Sequence, residues 1–481
     1  MSNLSELLPA GGAAKEFEVV ASGTLPNGKP VILNSNGTVT AVAESTVAAS
    51  TGTEVVFESG TTKNTSVAML TSTKAIVVYQ DDTSTGYGTA CVLDVVGDVI
   101  TAGTPTVIDS VDAIDQTIAM LTSTKAIVCY QKVSGGYGYS VILDVSGSAI
   151  TAGTPVAYES AATLWNSVAM LTSTKAIVCY YDGGNGYKGT ACVLDVSGST
   201  ITAGTAIVFN AAVTTQIAVA ALSATKAIVV YADNGNSAYG TSCILDVSGS
   251  TITARAEAVF ESANVGYVKP TMLTSTKALV VYTDNGNSGY GTACVLDVSG
   301  STINAGTPVV FESSTTALKD VDSLNSTTAF VAYQDGGNGS YGTSSVLTIS
   351  GSTITAATPT LFASASTTWL SVISLTPSKV IITYQDTGNS SYGTCIISQT
   401  EHLATNLTST NFAGTSTAAF TNGQTATIVP QGGVSTNQTS LTIGSTYYIQ
   451  PAGTLATSAG SPSFVAGKAI SATSLILKGN S

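Results

Sequence analysis

Charge is what this 481-residue sequence lacks most. Asp, Glu, Lys and Arg make up only 9% of it, against roughly a quarter in an average soluble protein. The little charge present is one-sided, with 16 basic and 29 acidic residues and a formal net charge of −13. That argues against a nucleic-acid partner, which requires clustered Lys and Arg to neutralise phosphates. Histidine occurs once, as His402, and no Cys-x-x-Cys pair exists. A Cys/His metal centre is therefore excluded, and no metal or cofactor is expected. No apolar run reaches the roughly 18 residues of a membrane span, so no membrane insertion is expected. The opening residues MSNLSELLPAGGAAKEFEV have neither a basic nor an apolar leader region, so no secretory signal is expected. The seven cysteines are an odd number. Cys91, Cys192, Cys243 and Cys294 fall where Val141 or Ser345 stands in other copies of a repeat, the pattern of small buried fillers rather than disulfides.

Ser, Thr, Gly, Ala and Val fill the space left by charge, and they suit short strands and tight turns. The stretch Thr71–Val95, TSTKAIVVYQDDTSTGYGTACVLDV, returns six more times. Its tyrosine recurs as Tyr79, Tyr130, Tyr180, Tyr231, Tyr282, Tyr333 and Tyr384, at spacings of 51, 50, 51, 51, 51 and 51. A fixed period of this size marks a repeat architecture. One unit reads as four strands: A (Ser167–Leu171), B (Lys175–Asp182), C (Gly189–Val196) and D (Ile201–Phe209). Four antiparallel strands in about 51 residues match one blade of a β-propeller.

The ends of the array predict how it closes. The seventh unit, Ser371–Gln399, has A, B and C but no D. Before the first A strand lies TEVVFES (Thr53–Ser59), a near copy of the D-strand sequence TPVVFES (Thr307–Ser313). An N-terminal D strand completing the last blade would remove the open edge. The expected fold is all-β, with a seven-bladed propeller of four-stranded blades over residues 53–400.

Strand B begins with Lys74, Lys125, Lys175, Lys226 and Lys277, and strand C ends with Asp94, Asp144, Asp195, Asp246 and Asp297. If Tyr79 lies opposite Thr89, each Lys lies opposite its Asp. In the sixth unit both become threonine, Thr328 and Thr348, while in the seventh Lys379 would face Gln399. Loss of both partners together supports cross-strand ion pairs with a structural role.

The flanks do not repeat. Residues 1–17 read as a docking or flexible arm. Residues 18–44 alternate apolar and polar residues around Pro26-Asn27-Gly28 and Asn36-Gly37, as short strands joined by hairpin turns do. Residues 402–481 carry further short strands such as STYYIQ and SLILKG.

The segment LPNGKPVILNSNGTVTAV (Leu25–Val42), followed far downstream by SLTIGSTYYIQPAGTL (Ser440–Leu455) and AGKAISATSLILKG (Ala466–Gly479), resembles tail-fibre and related receptor-binding virion proteins of tailed bacteriophages. The opening MSNLSELLPAGG is also similar to their N-termini. The resemblance implies that 18–44 and 402–481 form one small β-barrel or sandwich with the propeller inserted between them. It also implies a virion protein, assembled in the host cytoplasm and released by lysis. That would reconcile an extracellular style of composition with no leader. Its partners would be other virion proteins, through the terminal β domain and the N-terminal arm, with homo-oligomers as a further expectation.

Strand alternation places the B–C and D–A connections on one face. The D–A segments vary most: SGTTKNTS, SVDAIDQT, SAATLWNS, NAAVTTQI, SANVGYVKP, SSTTALKD and SASTTWLS. They carry both tryptophans, Trp165 and Trp369, with Tyr267, Lys269 and Lys319. A constant framework with variable connections is the form of a binding face, here for a host-surface glycan or protein. Two readings of the tryptophans stand, as ligand anchors or as plugs between blades. The B–C acids Asp81, Asp82, Asp182, Asp233, Asp284, Asp335 and Asp386 fit turn chemistry better than calcium loops. No paired carboxylates or sialidase Asp-box stands out, so no enzyme is expected. The leading expectation is a phage adhesion protein. The alternatives are a decoration protein contacting only other virion subunits and a polysaccharide-degrading spike.

Overall fold

A computed structural model describes residues 16–460 and 463–478. The chain divides into two units, one spanning residues 50–400 and the other made from the two flanks. All but the last two residues of the expected N-terminal arm lie outside the described residues.

In the larger unit each repeat builds the same four elements. The third repeat has a 17-residue strand Val156–Thr172, then Lys175–Asp182, Lys188–Ser197 and the short Thr200–Ala203. The long strand joins what the sequence reads as strand D of one unit and strand A of the next. Its first part pairs with the preceding repeat (Ser140↔Val156) and its second with its own repeat (Val168↔Val178). The expected D–A loops are therefore corrected to one continuous strand. The deviation that mimics a loop is a β-bulge: Leu164 pairs with Tyr181 and Ser167 with Cys179, so Trp165 and Asn166 together oppose Tyr180.

These pairings close into a cycle. The last third strand, Tyr392–Gln399, pairs with the first long strand, Val55–Thr71, through Tyr392↔Thr61 and Thr394↔Val56. The register matches an interior junction, Tyr290↔Thr315 and Thr292↔Val310. Ser50–Thr51 takes the place of a short outer strand against Ser398 and Gln399. The array thus begins at Ser50, three residues before the expected boundary.

The second and third strands are apolar on both sides because both faces are buried. Among them the seven tyrosines are fully buried. A buried hydroxyl requires a hydrogen-bond partner, and each phenol donates to a carboxylate. Tyr79 reaches Glu58 (2.9 Å), Tyr130 Asp109 (2.5 Å), Tyr180 Glu159 (3.1 Å), Tyr282 Glu261 (2.8 Å) and Tyr333 Glu312 (2.9 Å). In each case the acid lies 21 residues earlier, on the long strand. The other two repeats carry Asn210 and Ala363 at that position. Tyr231 instead donates to Glu257 (2.8 Å) and Tyr384 to Glu54 (2.8 Å). Glu257 and Glu54 occupy one equivalent position, four residues before Glu261 and Glu58. Burial, reinforced by the adjacent carboxylates, raises the phenol pKa values far above the ordinary tyrosine range. An aromatic ring tilts against most of these tyrosines, as Phe311 does on Tyr333 at 5.4 Å. A Cβ at Gly291 would stand 2.6 Å from Phe311, so the Tyr-Gly sequence leaves room for that ring.

The hairpin register places Lys74 opposite Asp94, Lys125 opposite Asp144, Lys175 opposite Asp195, Lys226 opposite Asp246 and Lys277 opposite Asp297. All five form ion pairs. Each Asp also accepts a hydroxyl from the following repeat, as Asp94 does from Ser148 at 2.5 Å and Asp246 from Ser301 at 3.2 Å. Lys379 faces Gln399 and instead pairs with Asp98, which occupies the position of Ser148 in the first repeat. The seam thus keeps one Lys–Asp contact by moving the acid across it. The seven cysteines are buried and free.

The flanking unit interleaves its two segments. One sheet runs in the order Phe17–Val20, Thr425–Val429, Phe412–Ser416, Pro30–Leu33, Val39–Ala41. A second sheet, Val434–Leu477, comes from the C-terminal flank alone. Ile32, Val42 and Phe412 share an apolar cluster with Ile449, Phe464 and Leu475. Between these sheet strands and the larger unit, Glu44–Val47 is a strand paired with His402–Thr405.

Two outcomes follow for stability. Glu257→Ala strands the buried Tyr231 hydroxyl and should cost about 1–3 kcal/mol in chemical unfolding. Adding Asn210→Glu, which restores the acid of the other repeats, should recover most of that loss, whereas Asn210→Glu alone should not stabilise. The second outcome concerns acid. Burial opposes ionisation of Asp94, Asp144, Asp195, Asp246 and Asp297, but the bonds from Lys and from Ser or Arg255 outweigh it, leaving their pKa values lowered. A lowered folded pKa gives stability that is full above the unfolded value of about 3.9 and is lost as pH falls through the folded value. The melting temperature should therefore drop below about pH 4, and the drop should shrink when Lys74, Lys175 and Lys277 are replaced by Met. Each pair is worth only about 0.2–1 kcal/mol, so single replacements should move it little.

Candidate functional site

Every repeat bulges its long strand opposite the buried tyrosine. The first bulge residue has positive φ in all seven: Asn64, Asp115, Trp165, Gln216, Tyr267, Leu318 and Trp369, with φ between 45° and 56°. Asn and Asp tolerate this left-handed region, but bulky side chains do so only at a cost of about 1–3 kcal/mol each. The second bulge residue, as in Thr65, Gln116, Ile217 and Leu370, is buried.

These seven bulges converge on a cavity of about 220 Å³ at the centre of the ring. All five residues singled out on the variable segments, Trp165, Tyr267, Lys269, Lys319 and Trp369, line it. They do not act alike. Tyr267 and Trp369 remain 41% and 38% exposed. Trp165 is half-buried, rests edge-on against Tyr181 of its own repeat at 5.4 Å and packs against an apolar cluster that joins the third and fourth repeats, while also bordering the cavity. Lys269 is exposed and makes no ion pair or hydrogen bond among the described residues. Lys319 departs from the expectation of a ligand-facing cation. It is 2% exposed, donates to Thr283 Oγ1 and lies 5.5 Å from the Tyr267 ring centre. Burial without a carboxylate partner holds its pKa well below the ordinary lysine value.

The residues missed on the variable segments are Asn64, Asp115, Gln216 and Leu318, the same alignment column as the aromatics. Asp115 and Gln216 knit neighbouring repeats together: Asp115 Oδ2 accepts the Asn166 N–H at 2.6 Å and Gln216 Oε1 accepts the Tyr267 N–H at 2.8 Å. Burial pushes the Asp115 pKa up to about 6, against the pull of the Asn166 bond and the Lys269 charge. Two buried polar atoms of wall residues, Gln116 Oε1 and Asn166 Nδ2, have no partner among the described residues.

The acidic B–C positions stand apart from the cavity. Asp81, Asp182, Asp233, Asp284 and Asp335 cap short 3-10 turns, accepting backbone N–H groups as Asp182 does from Gly184 at 2.9 Å. Asp386 accepts from Gly388 at 2.9 Å in the same way. Among the described residues no group of His, Cys, Asp or Glu could hold a metal ion.

The buried Lys319 amine yields a direct prediction. Equivalent positions hold Ile217, Val268 and Leu370, so Lys319→Leu should raise the unfolding free energy by about 1–3 kcal/mol through removal of a buried amine that has no carboxylate partner. Differential unfolding in urea checks it, and a loss of stability would show that the amine is favourably held.

No protein-family profile and no curated protein sequence matches the chain. Among solved structures it is similar to a lectin from Burkholderia pseudomallei at 11% identity and TM-score 0.49, covering 76% of this chain and 99% of the lectin. It is also similar to AofleA from Arthrobotrys oligospora, at 8% identity and TM-score 0.42, covering 71% of this chain and 97% of that one. A variant of the NanB sialidase from Streptococcus pneumoniae matches at 11% identity and TM-score 0.43, over 72% of this chain and 70% of the sialidase.

Proposed function

We propose that the chain is a bacteriophage virion protein that attaches to a host surface through the cavity at the centre of its ring. In this reading the ring is a seven-bladed β-propeller. It is carried as an insert between the two halves of a small terminal β-domain, which docks to other virion subunits or to further copies of the chain. The interleaving of the two flanks in one sheet supports the insertion, because a chain can leave and re-enter a domain cheaply only where the ends meet. The phage assignment rests on the turn-and-strand pattern of those flanks.

One observation carries the binding role. The repeats vary most along the D–A segments, and at the first bulge position of those segments the side chains converge on one cavity while bulky residues occupy a strained conformation. Asn or Gly would serve the bulge better, so Trp165, Tyr267 and Trp369 are retained for what they present. Binding rather than hydrolysis is favoured because the wall holds a single carboxylate, Asp115, and glycoside hydrolysis uses two.

Fluorescently labelled chain should stain at least one strain in a panel of bacteria. The Trp165→Ala/Trp369→Ala double variant should lose about tenfold or more in apparent affinity, since buried aromatic anchors are commonly worth 2 kcal/mol or more. Staining unchanged in a folded double variant would remove the cavity as the site, and staining of no strain would remove attachment.

A further inference from the structure

The charges at the cavity narrow the ligand. Asp115 and Lys269 enter from the second and fifth repeats, on different sides of the ring, and the Lys269 charge acts on Asp115. Lys319 adds no accessible cation, because its amine is buried and bonded to Thr283. An anionic ligand would gain Lys269 but meet Asp115. A cationic ligand would gain Asp115 but meet Lys269. A neutral polyol meets neither penalty: one hydroxyl accepts from Lys269 Nζ while another donates to the Asp115 oxygen that has no bond among the described residues.

The aromatics complete the fit. Trp165, Tyr267 and Trp369 come from the third, fifth and seventh repeats, so their rings border the cavity from separated directions. Apolar C–H faces pack well on such rings while a polar rim is satisfied elsewhere. The volume, about 220 Å³, is below the roughly 300–1,000 Å³ of sites for drug-sized ligands, which suits one sugar ring. Asp occurs at this bulge only in the second repeat, and the aromatic residues in three of the seven. The recognition set therefore exists once per chain despite the repetition.

We propose that the cavity is a single recognition site for an uncharged pyranose, the terminal residue of a surface glycan, a proposal that rests on the binding role of this cavity. The chain carries its own reporter, since its two tryptophans are both in the cavity wall. Tryptophan emission would be titrated with methyl glucoside, methyl galactoside, methyl mannoside and methyl N-acetylglucosaminide, alongside glucuronate and choline. At least one neutral glycoside should shift the emission and saturate at one per chain. Asp115→Asn and Lys269→Gln should each weaken it about tenfold, as expected for loss of a charged hydrogen-bond partner. Lys269 is exposed, so its variant tests the idea even if the Asp115 variant fails to fold. Preference for glucuronate or choline, no response to any neutral glycoside, or titrations unmoved by folded variants would each overturn the proposal. If bacterial staining still requires Trp165 and Trp369 in that event, only the ligand class has failed. If staining ignores them, the binding role of the cavity has failed first.

Discussion

Seven phenol hydroxyls are buried in this ring, on tyrosines with no exposed surface. Each must find an acceptor inside the protein, and each finds a carboxylate. The bond runs from the second strand of a repeat to an acid on or just before a long strand, so it ties together the elements that the pairing cycle must hold. The acid need not come from one fixed position. Where Asn210 and Ala363 replace it, Glu257 and Glu54 deliver a carboxylate to the same hydroxyl from the next long strand's entry. What is held constant is the satisfied hydroxyl, because an unpaired one costs about 1–3 kcal/mol whichever residue is missing.

The seam follows the same logic. Tyr384 takes its acceptor from Glu54, 330 residues earlier. Lys379 takes its counter-ion from Asp98, where the other repeats use serine. Neither acid has an evident reason within its own repeat; each makes sense only if the last repeat meets the first. Together with the shared register of Thr394↔Val56 and Thr292↔Val310, they make the seam chemically equivalent to an interior junction. A ring with no weak joint has no open seam from which to unzip or recruit another chain.

These features differ in how legible they are in the sequence. The hairpin register is local and repeats without insertion, so Lys74 opposite Asp94 follows from strand alternation. The copy of an outer strand at Thr53–Ser59 is likewise visible as text. The tyrosine acceptors are not, because the offset of 21 residues crosses the bulge and the long strand itself is hidden. Segments such as SGTTKNTS and SANVGYVKP carry the small and polar residues of loops. They are strands only because a neighbouring repeat pairs with one end and their own repeat with the other, a tertiary condition that local propensity does not encode. Trp165 and Trp369 could be placed on the variable side of the ring, but not in one cavity, since their convergence depends on closure. Lys319 is hard to place from sequence for a related reason: one residue along the bulge turns a side chain from the cavity into the wall.

That one-residue difference explains how a repetitive scaffold can hold an individual site. At a bulge two residues oppose one, and only the second is needed to fill the space between repeats. Thr65, Gln116, Asn166, Ile217, Val268, Lys319 and Leu370 are all buried there. The first residue is released from the pleat and turned by its positive φ toward the ring centre. It can then vary without disturbing a strand pair, a tyrosine bond or a Lys–Asp contact. Asn64, Asp115 and Gln216 use that freedom for hydrogen bonds, two of them to the next repeat, and Trp165, Tyr267 and Trp369 use it to present aromatic surface. Sevenfold regularity fixes where the cavity is, and the freedom of a single bulge position decides what it can recognise.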